Sequence, residues 1–356
     1  MEFEQPYVLV LCLTYNQSLY IEDTLNGFCM QQTDFPFVCC ILDDASTDGE
    51  IDVIKKYTNE SFEQVESTNT LQEDSEDYCK LFLRHKINRN CFFLIFFLKY
   101  NHYQIGKSKL PYYEEWKRKA KYIAYCEGDD YWIDSLKLQK QVDFLEKHPD
   151  YGLVHTNFKI IDATNKEIGD IKERGKLLKK YEGNVIEEIL ILLGIKTLTF
   201  CVRKEFVPAK KIAEGIFSGD KYLALNVASQ TKIHYLPDVT GVYRSLSGTM
   251  CHSPNYFVAD KFERSIQRLD DHYMNITPNL SNKTKMLMRF KWGHYELLYK
   301  LANNDTSINT IPNLIYTIPY IRIKEYKFVV MYLLCHNKFF FNLFRNKLLK
   351  NKYYQV

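Results

Sequence analysis

Short, almost continuously apolar runs recur along the first two-thirds of the chain, separated by amphipathic segments. The runs at residues 7–13, 37–42, 91–98 and 122–126 have the length and composition of buried strands. Strands covered by helices on both faces have such sequences, because neither face meets water. The alternation of these runs with helical segments predicts an α/β protein built around a largely parallel sheet.

The segments between the runs have the spacing of helices that pack on one face. Ile21, Leu25 and Phe28 recur at intervals of four and three residues, and Ser18 is placed to cap that helix. The same spacing predicts a second helix over residues 138–145. Each predicted helix therefore has one apolar face that can cover the sheet.

The composition is that of a globular protein with a large core. The 356 residues are 46% hydrophobic and 26% charged, and the net charge of +3 is too small to indicate nucleic-acid binding. The ten cysteines include no CxxC pair, which argues against zinc clusters and favours a reducing compartment. Residues 1–5 are acidic and polar, so we expect no signal peptide and a cytoplasmic protein.

Positive charge is concentrated toward the C-terminal end. Residues 282–356 hold 13 Lys and Arg against 3 Asp and Glu, and include apolar, aromatic stretches at 328–335 and 339–344. Both stretches are shorter than the roughly 18 to 20 residues that span a bilayer. We predict a sheet domain over 1–255 and a basic helical region over 256–356. Two interpretations of that region stay open: peripheral contact with the anionic inner face of the plasma membrane, or a helical cap on the main domain.

Two acidic turns follow predicted strands. Asp43, Asp44 and Asp48 come after the second strand, and Asp129 and Asp130 come after the fourth. The carboxyl ends of parallel strands form the ligand-binding edge of an open α/β sheet, so we expect these carboxylates to lie close together. Mg²⁺ or Mn²⁺ would relieve their repulsion, and such ions usually bind together with phosphates. The alternative for Asp43 and Asp44, and above all for Asp48, is that they only make turn and helix-cap hydrogen bonds.

Several enzyme classes lose their main support because their motifs are absent. Gly106-Lys107-Ser108 matches the end of a phosphate-binding loop, but Asn101 occupies the position of its first glycine. The sequence also contains no GxGxxG, HExxH or GxSxG motif. These differences argue against kinase, dehydrogenase, zinc-protease and serine-hydrolase functions.

Several segments, in the same order along the chain, resemble the successive motifs of family 2 glycosyltransferases, which have the GT-A fold. They are VLVLCLTYN at residues 8–16, ILDDASTDG at 41–49, KYIAYCEGDDYW at 121–132, GD at 219–220 and LPDVTGVYR at 236–244. The resemblance covers residues 5–252. It implies a Rossmann-like mixed sheet flanked by helices that binds a nucleotide-diphospho-sugar, with the basic region as a C-terminal helical extension.

The resemblance also implies roles for residues after the first two strands. Thr14, Tyr15 and Asn16 match the turn that lines the nucleotide pocket in the family, where Tyr15 could stack on the base. Asp44 matches the position that accepts a hydrogen bond from the uracil ring. These four residues would therefore form the nucleoside end of a donor site.

Further matches imply a metal and a diphosphate. Asp129 matches an acid near the ribose and Asp130 the acid on a Mn²⁺ or Mg²⁺ ion that bridges the diphosphate; both are metal-site candidates. Arg244 and His252 resemble a loop that closes over the donor, where Arg244 could pair with the diphosphate and His252 could complete the metal shell. A surface arginine and a merely hydrogen-bonded histidine are the open alternatives. The motif here is EGDD rather than the commoner DxD, which leaves the role of Glu127 open.

Asp220 matches the family's catalytic base. A base takes the proton from the acceptor hydroxyl as that hydroxyl attacks, and a helix N-terminus keeps such a carboxylate ionised. The alternative is an ordinary N-cap aspartate. The family's Asn-x-Gly element and arginine have no counterpart here, so residues 60–101 and the donor sugar stay unassigned.

We expect inverting, metal-dependent transfer of a hexosyl or N-acetylhexosaminyl group from a UDP-sugar. The acceptor would be a hydroxyl of a glycan or lipid-linked glycan in cell-surface polysaccharide synthesis. A nucleotidyltransferase is a rival, but it would carry a Gly-rich basic loop where this chain has LTYNQS after the first strand. The second rival is a non-catalytic GT-A-like module that binds a glycan or acts as a scaffold.

Overall fold

The computed structural model describes residues 5–65, 72–208, 218–246 and 256–350. Within these ranges the strands are β1 (Val8–Thr14), β2 (Phe37–Asp43), β3 (Phe62–Gln64), β4 (Gln72–Asp74), β5 (Tyr78–His85), β6 (Cys91–Leu98), β7 (Tyr122–Tyr125), β8 (Tyr131–Trp132), β9 (Tyr151–Ile161), β10 (Cys201–Arg203) and β11 (Lys232–Arg244). The helices are α1 (Ile21–Cys29), α2 (Glu50–Ser61), α3 (Leu110–Lys119), α4 (Lys137–Lys147), α5 (Ile171–Leu178), α6 (Ile186–Ile191), α7 (Gly219–Ala228), α8 (Tyr256–Ile276), α9 (Asn282–Ala302), α10 (Tyr326–Leu334) and α11 (Lys338–Leu349).

The described residues form two compact units. The first draws on residues 1–185, 194–209 and 226–246, and the second on 186–193, 210–225 and 247–356. The first unit therefore contains the strands, and the second contains α6, the start of α7, and α8 to α11. The boundary predicted from the sequence, at residue 255, stays a prediction.

A mixed sheet forms the centre of the first unit. Its strands lie in the order β3-β5-β6-β2-β1-β7-β10-β9-β11-β8, with β4 paired to β5. Strands β6, β2, β1 and β7 are mutually parallel, whereas β10 runs antiparallel to β7 and β9. Thr14 of β1 lies beside Asp43 of β2, and Leu11 lies beside Tyr125 of β7. The chain therefore leaves β1, β2 and β7 at one edge of the sheet, as the apolar runs predict.

The two faces of the sheet carry separate apolar clusters. In β1, Val8 and Val10 belong to one cluster and Leu9 and Leu11 to the other, because successive side chains of a strand point to opposite faces. All eight residues of β6 are buried. This burial on both faces is the physical reason for the continuously apolar runs in the sequence, and it confirms the strand predicted over 91–98.

Helices α1 and α4 bury the apolar faces that their spacing predicts. The predicted cap of α1 is wrong. The helix begins at Ile21, three residues after Ser18, and the intervening Tyr20 makes no side-chain cap hydrogen bond. The Ser18 backbone N–H instead donates to Asp48 Oδ2 at 2.9 Å. Ser18 therefore belongs to the turn that precedes the helix, where the turn after β2 holds it.

Helices dominate the second unit. Phe290, Leu297 and Leu301 of α9 are buried in one cluster with Val329 of α10 and Phe341 of α11. Helix α9 begins at a capped terminus, where the Ser281 side chain accepts a hydrogen bond from the Thr284 N–H. Among the helices of the described ranges, none is both long and apolar enough to cross a bilayer.

Candidate active site

Three turns meet at the sheet edge where β1, β2 and β7 end. Turn 1 comprises residues 14–18, turn 2 residues 43–50 and turn 3 residues 126–130. The Asp44 N–H donates to the Thr14 carbonyl at 3.0 Å, and the Gly128 N–H donates to the Leu13 carbonyl at 3.2 Å. Turns 2 and 3 therefore flank turn 1 on its two sides, and the acids of both turns are gathered at the edge that the sequence predicts.

Asn16 joins turn 1 to turn 2. Its N–H donates to Ser46 Oγ at 2.9 Å, and its side-chain Oδ1 accepts from the Thr47 N–H at 2.8 Å. Asn16 has a positive φ of 54°, a conformation that Asn adopts more readily than most residues. Thr14 is buried, whereas 39% of Tyr15 is exposed. Of the three predicted nucleotide contacts, Tyr15 has the exposed side chain that a base could stack on.

Asp44 is buried and already holds the segment that follows β6. Its carboxylate accepts from the N–H groups of His102 and Tyr103 at 2.7 and 3.1 Å, and pairs with Lys109 Nζ at 2.7 Å. A carboxylate has about four acceptor positions, so a further hydrogen bond can still be made. Any base that Asp44 recognises would therefore lie beside the residue 102–109 segment. Lys109 belongs to none of the sequence motifs, and only the fold brings it to Asp44.

Turn 3 packs tightly against α1 and turn 1. Thr24 Oγ1 donates to the Gly128 and Asp130 carbonyls at 2.9 and 2.7 Å. A Cβ atom at Gly128 would lie 2.2 Å from Thr14 Oγ1, closer than real side chains approach. Only glycine therefore fits at position 128 of turn 3, which explains the glycine in the EGDD motif.

Asp129 and Asp130 are adjacent carboxylates with few partners that offset their negative charge. Asp130 is 3% exposed, and its Oδ1 accepts from the Arg244 N–H at 2.8 Å. Burial, with the neighbouring Asp129 and Glu127 carboxylates, raises the pKa of Asp130 well above its usual value. Burial also raises the pKa of Asp129. Both carboxylates would be stabilised in their ionised form by a cation.

A divalent cation fits these residues only together with a ligand that brings its own oxygens. In the part of the chain that the structure describes, no three His, Cys, Asp or Glu side chains are grouped closely enough to hold a metal by themselves. Glu127 accepts from Thr197 Oγ1 at 3.1 Å. Mg²⁺ commonly binds one or two carboxylates and completes its shell with phosphate and water oxygens, which matches the Asp129–Asp130 pair. His252 lies outside the described residues.

Arg244 is buried rather than exposed, so the surface alternative is wrong. Its guanidinium pairs with Asp23, donates to Asn165 Oδ1 at 2.5 Å, and lies over the rings of Tyr20 and Tyr131 at 4.7 and 5.1 Å from their centroids. These contacts hold the end of β11 against turn 3 and α1. The predicted pairing of Arg244 with a diphosphate stays a prediction.

Asp220 lies in the second unit, as the second residue of α7. Its Oδ1 accepts from Ser218 Oγ at 2.5 Å and from the Lys221 N–H at 2.7 Å. The N-cap alternative does not hold, because the helix begins at Gly219, before Asp220. The carboxylate is half-buried in the first turn of the helix. Its predicted role as a base stays a prediction.

No protein-family model matches the chain. Among curated proteins, "Uncharacterized protein Rv1520" of Mycobacterium tuberculosis and "Uncharacterized protein Mb1547" of Mycobacterium bovis are each 27% identical to it over 253 residues. The match covers 68% of this chain and 60% of each relative.

Among solved structures, Staphylococcus aureus TarS 1–349 in complex with UDP matches 99% of this chain and 92% of its own, with 14% identity and a TM-score of 0.58. The same protein in complex with UDP-GlcNAc matches 99% and 90%, with 15% identity and a TM-score of 0.50. TarS has a GT-A-like fold. The mixed sheet flanked by helices in this chain is therefore a GT-A-like fold.

Proposed function

We propose that the chain is a glycosyltransferase of family 2 type that transfers a hexosyl or N-acetylhexosaminyl group from a UDP-sugar. The observation that carries the proposal is the meeting of turns 1, 2 and 3 at one sheet edge. Turn 3 brings the buried Asp130 and the half-buried Asp129 to this edge, and the side chain of Tyr15 in turn 1 is exposed. The GT-A-like fold, shared with a structure that contains UDP, supports the choice of a nucleotide diphosphate as the ligand.

Asp129 and Asp130 would hold a Mn²⁺ or Mg²⁺ ion in the loaded enzyme. That ion would offset the negative charge that develops on the departing diphosphate. The protein's own contribution is to hold two carboxylates in a buried, low-dielectric turn, where their attraction for a cation is stronger than in water. The close packing of Gly128 on Thr14 keeps that turn in place.

Asp220 is the proposed base. Its carboxylate would take the proton from the acceptor hydroxyl while the hydroxyl oxygen attacks the anomeric carbon from the face opposite the diphosphate, which inverts that centre. The Ser218 hydroxyl and the Lys221 N–H both donate to Oδ1, which leaves Oδ2 as the oxygen for the acceptor proton. Asp220→Asn should abolish transfer and leave UDP binding unchanged; full activity would contradict the base role.

The proposed acceptor is a glycan or lipid-linked glycan in cell-surface polysaccharide synthesis, and the proposed location is the cytoplasm, with peripheral contact at the plasma membrane. Residues 326–350 contain five Lys and Arg and no acid. Phe339 and Leu343, one turn apart on α11, are 70% and 52% exposed. Apolar side chains beside cations suit an anionic bilayer surface.

Point variants test this contact better than truncation, because α10 and α11 also supply buried core residues. We expect Phe339→Ser with Leu343→Ser to weaken sedimentation with phosphatidylglycerol vesicles. Ile87→Ser, at an 87% exposed apolar residue of the first unit, is the matched control. Equal sedimentation of both variants would remove the membrane proposal and leave the glycosyltransferase proposal standing.

The donor proposal is tested by the thermal stability of the protein with nucleoside diphosphates, each with and without Mn²⁺. A ligand that binds only the folded state raises the midpoint of unfolding, so no acceptor is needed. We expect UDP with Mn²⁺ to raise the midpoint of the wild type and of Asp143→Asn, an exposed acid of α4, but not of Asp130→Asn. No shift with any nucleotide would favour the non-catalytic binding module instead.

A further inference from the structure

A cavity of about 610 Å³ lies within the second unit, between α8, α9 and the segment that follows α9. Its volume is in the range of natural small-molecule sites. Gln267, Asp271 and Met274 line it from α8, at intervals of four and three residues that place them on one face of that helix. Neither the sequence motifs nor the proposed transfer reaction gives this cavity a role.

One face of α9 forms another wall of the cavity. Four lining residues recur on it at helical spacings: Lys285, Met288, Arg289 and Trp292. Gly293 also lines the cavity, and a Cβ atom there would lie 2.5 Å from Leu314 Cδ2. The residues after α9 therefore fold back closely onto the helix, and Thr310 and Pro312 of that segment complete the lining.

Most of the lining is apolar, and three of its side chains are methionines: Met274, Met286 and Met288. Methionine side chains are flexible and polarisable, so they adapt to hydrocarbon of irregular shape. Trp292 is 7% exposed, and its buried Nε1 has no hydrogen-bond partner in the part of the chain that the structure describes. Native proteins rarely leave a buried donor unsatisfied, so an acceptor for it would have to come from a ligand or from water in the cavity.

The charges of the lining are not balanced within the protein. Glu296 is neutralised, because it pairs with Arg264 at 2.6 Å. Lys285 and Arg289 lie one turn apart on α9, and no carboxylate of the described ranges lies within ion-pair distance of either. Asp271, which is exposed, is the other acid of the lining and also has no described ion pair. Two unpaired cations and one unpaired acid therefore border the cavity, which favours an anionic ligand.

From these observations we infer that the cavity binds an amphiphilic anion, with a hydrocarbon chain among the methionines and a phosphate monoester on Lys285 and Arg289. A phosphate monoester carries close to two negative charges near neutral pH, which matches two cations. Arginine binds phosphate through two parallel hydrogen bonds, and lysine binds it as a point charge. This lipid-phosphate site goes beyond the proposed sugar transfer and does not depend on it.

The test is calorimetric titration of the full chain at pH 8 with decyl phosphate, kept below the concentration at which it forms micelles. We expect the wild type to bind decyl phosphate at least about tenfold more tightly than inorganic phosphate or decyltrimethylammonium, because chain burial and charge pairing both contribute. Equal binding of inorganic phosphate would indicate a site for the free ion and would overturn the lipid assignment. Equal binding of decyltrimethylammonium would overturn the role of the two cations.

Variants at the two cations locate the site. Lys285→Ala with Arg289→Ala should weaken decyl phosphate binding at least about tenfold, since contacts with charged groups are lost. Lys283→Ala with Lys347→Ala removes the same charge from exposed positions of α9 and α11 outside the lining, and should keep the wild-type affinity. Losses of equal size in the two pairs would mean that binding follows net charge, and would overturn the inference.

A further variant tests the apolar wall without removing a cation. Met274 is half-buried, and Met274→Glu introduces a carboxylate into the lining, so it should weaken decyl phosphate binding at least about tenfold while unfolding stays cooperative. Phe339→Ser with Leu343→Ser should bind like the wild type, which separates this cavity from the proposed membrane contact. No binding by the wild type, unchanged binding in Met274→Glu, or a tenfold loss in the Phe339 and Leu343 variant would overturn the inference. A wild type that binds decyl phosphate but no nucleoside diphosphate would overturn only the proposed function.

Discussion

The two units of the chain differ in whether a cation pairs with their buried carboxylates. In the second unit, Asp270 is 0% exposed and pairs with Lys221 at 2.5 Å and Lys291 at 2.9 Å. In the first unit, Asp130 is 3% exposed, yet no described cation lies within ion-pair distance of it. A charge that is neutralised inside the protein serves the fold, whereas one left without a partner is available to a ligand. The difference separates a structural cluster from a candidate site.

The largest expected effect comes from breaking the paired cluster. Asp270→Asn leaves Lys221 and Lys291 without their shared carboxylate, and removing one partner of a buried ion pair commonly costs about 3–5 kcal/mol. We expect a fall of that size in the free energy of unfolding, measured by urea denaturation. A loss below about 1 kcal/mol would mean that this cluster is not the structural anchor that its geometry indicates.

The next-largest effect on stability comes from Lys137, a buried cation of the first unit, and this effect depends on pH. Lys137 is 0% exposed, donates to Gln141 Oε1 at 2.7 Å and lies over the Trp132 ring, and burial lowers its pKa to about 8. Between pH 8 and the ordinary lysine pKa, the unfolded chain binds more protons than the folded one, so this group makes stability rise with pH in that window. The stability is lost again as the pH falls to 8.

Lys137→Met removes this dependence while keeping a side chain of similar volume. We expect the variant to be more stable than the wild type at pH 7, by at most about 3 kcal/mol, because each pKa unit corresponds to about 1.4 kcal/mol. The advantage should shrink between pH 8 and 10 in urea denaturation. Lys221→Met, in the paired cluster of the second unit, should instead destabilise the protein, and a stabilising result there would contradict the comparison.

Asp130→Asn is expected to leave stability unchanged or to raise it by about 1 kcal/mol, since it removes an uncompensated buried charge. The asparagine Oδ1 can still accept the hydrogen bond from the Arg244 N–H. Thermal unfolding of the free protein measures this effect separately from ligand binding. A strong loss of stability would show that Asp130 is structural, like Asp270, and would weaken the candidate site.

The smallest effect is expected where a pair is exposed. Lys176 and Glu173 on α5 lie 2.6 Å apart, and their side chains are 73% and 68% exposed. Water and salt screen such pairs, so Lys176→Ala should change the free energy of unfolding by less than about 0.5 kcal/mol. A larger change would mean that burial is not what distinguishes the charge clusters of this protein.

The periodicity of the sequence predicts the strands of the parallel core and the helices α1 and α4, because these elements are decided by burial on one or two faces. It fails at Ser18, which has the composition of a cap but is drawn into turn 1 by Asp48. The alternative that Arg244 is a surface residue fails as well, because the fold buries its side chain. In both cases the deciding partner is distant along the chain, which local patterns do not record.

The candidate site also has one part that the sequence predicts and another that it does not. The order of apolar runs and acidic turns was enough to place Asp44, Asp129 and Asp130 at one sheet edge, since parallel strands must end together. The hydrogen-bond partners of these carboxylates came only with the tertiary structure. Lys109 reaches Asp44 across 65 residues of sequence. The positions of the strands along the chain follow from hydrophobic burial, which is visible in the sequence residue by residue. The environment of each charge instead depends on which distant groups the fold brings within 3 Å.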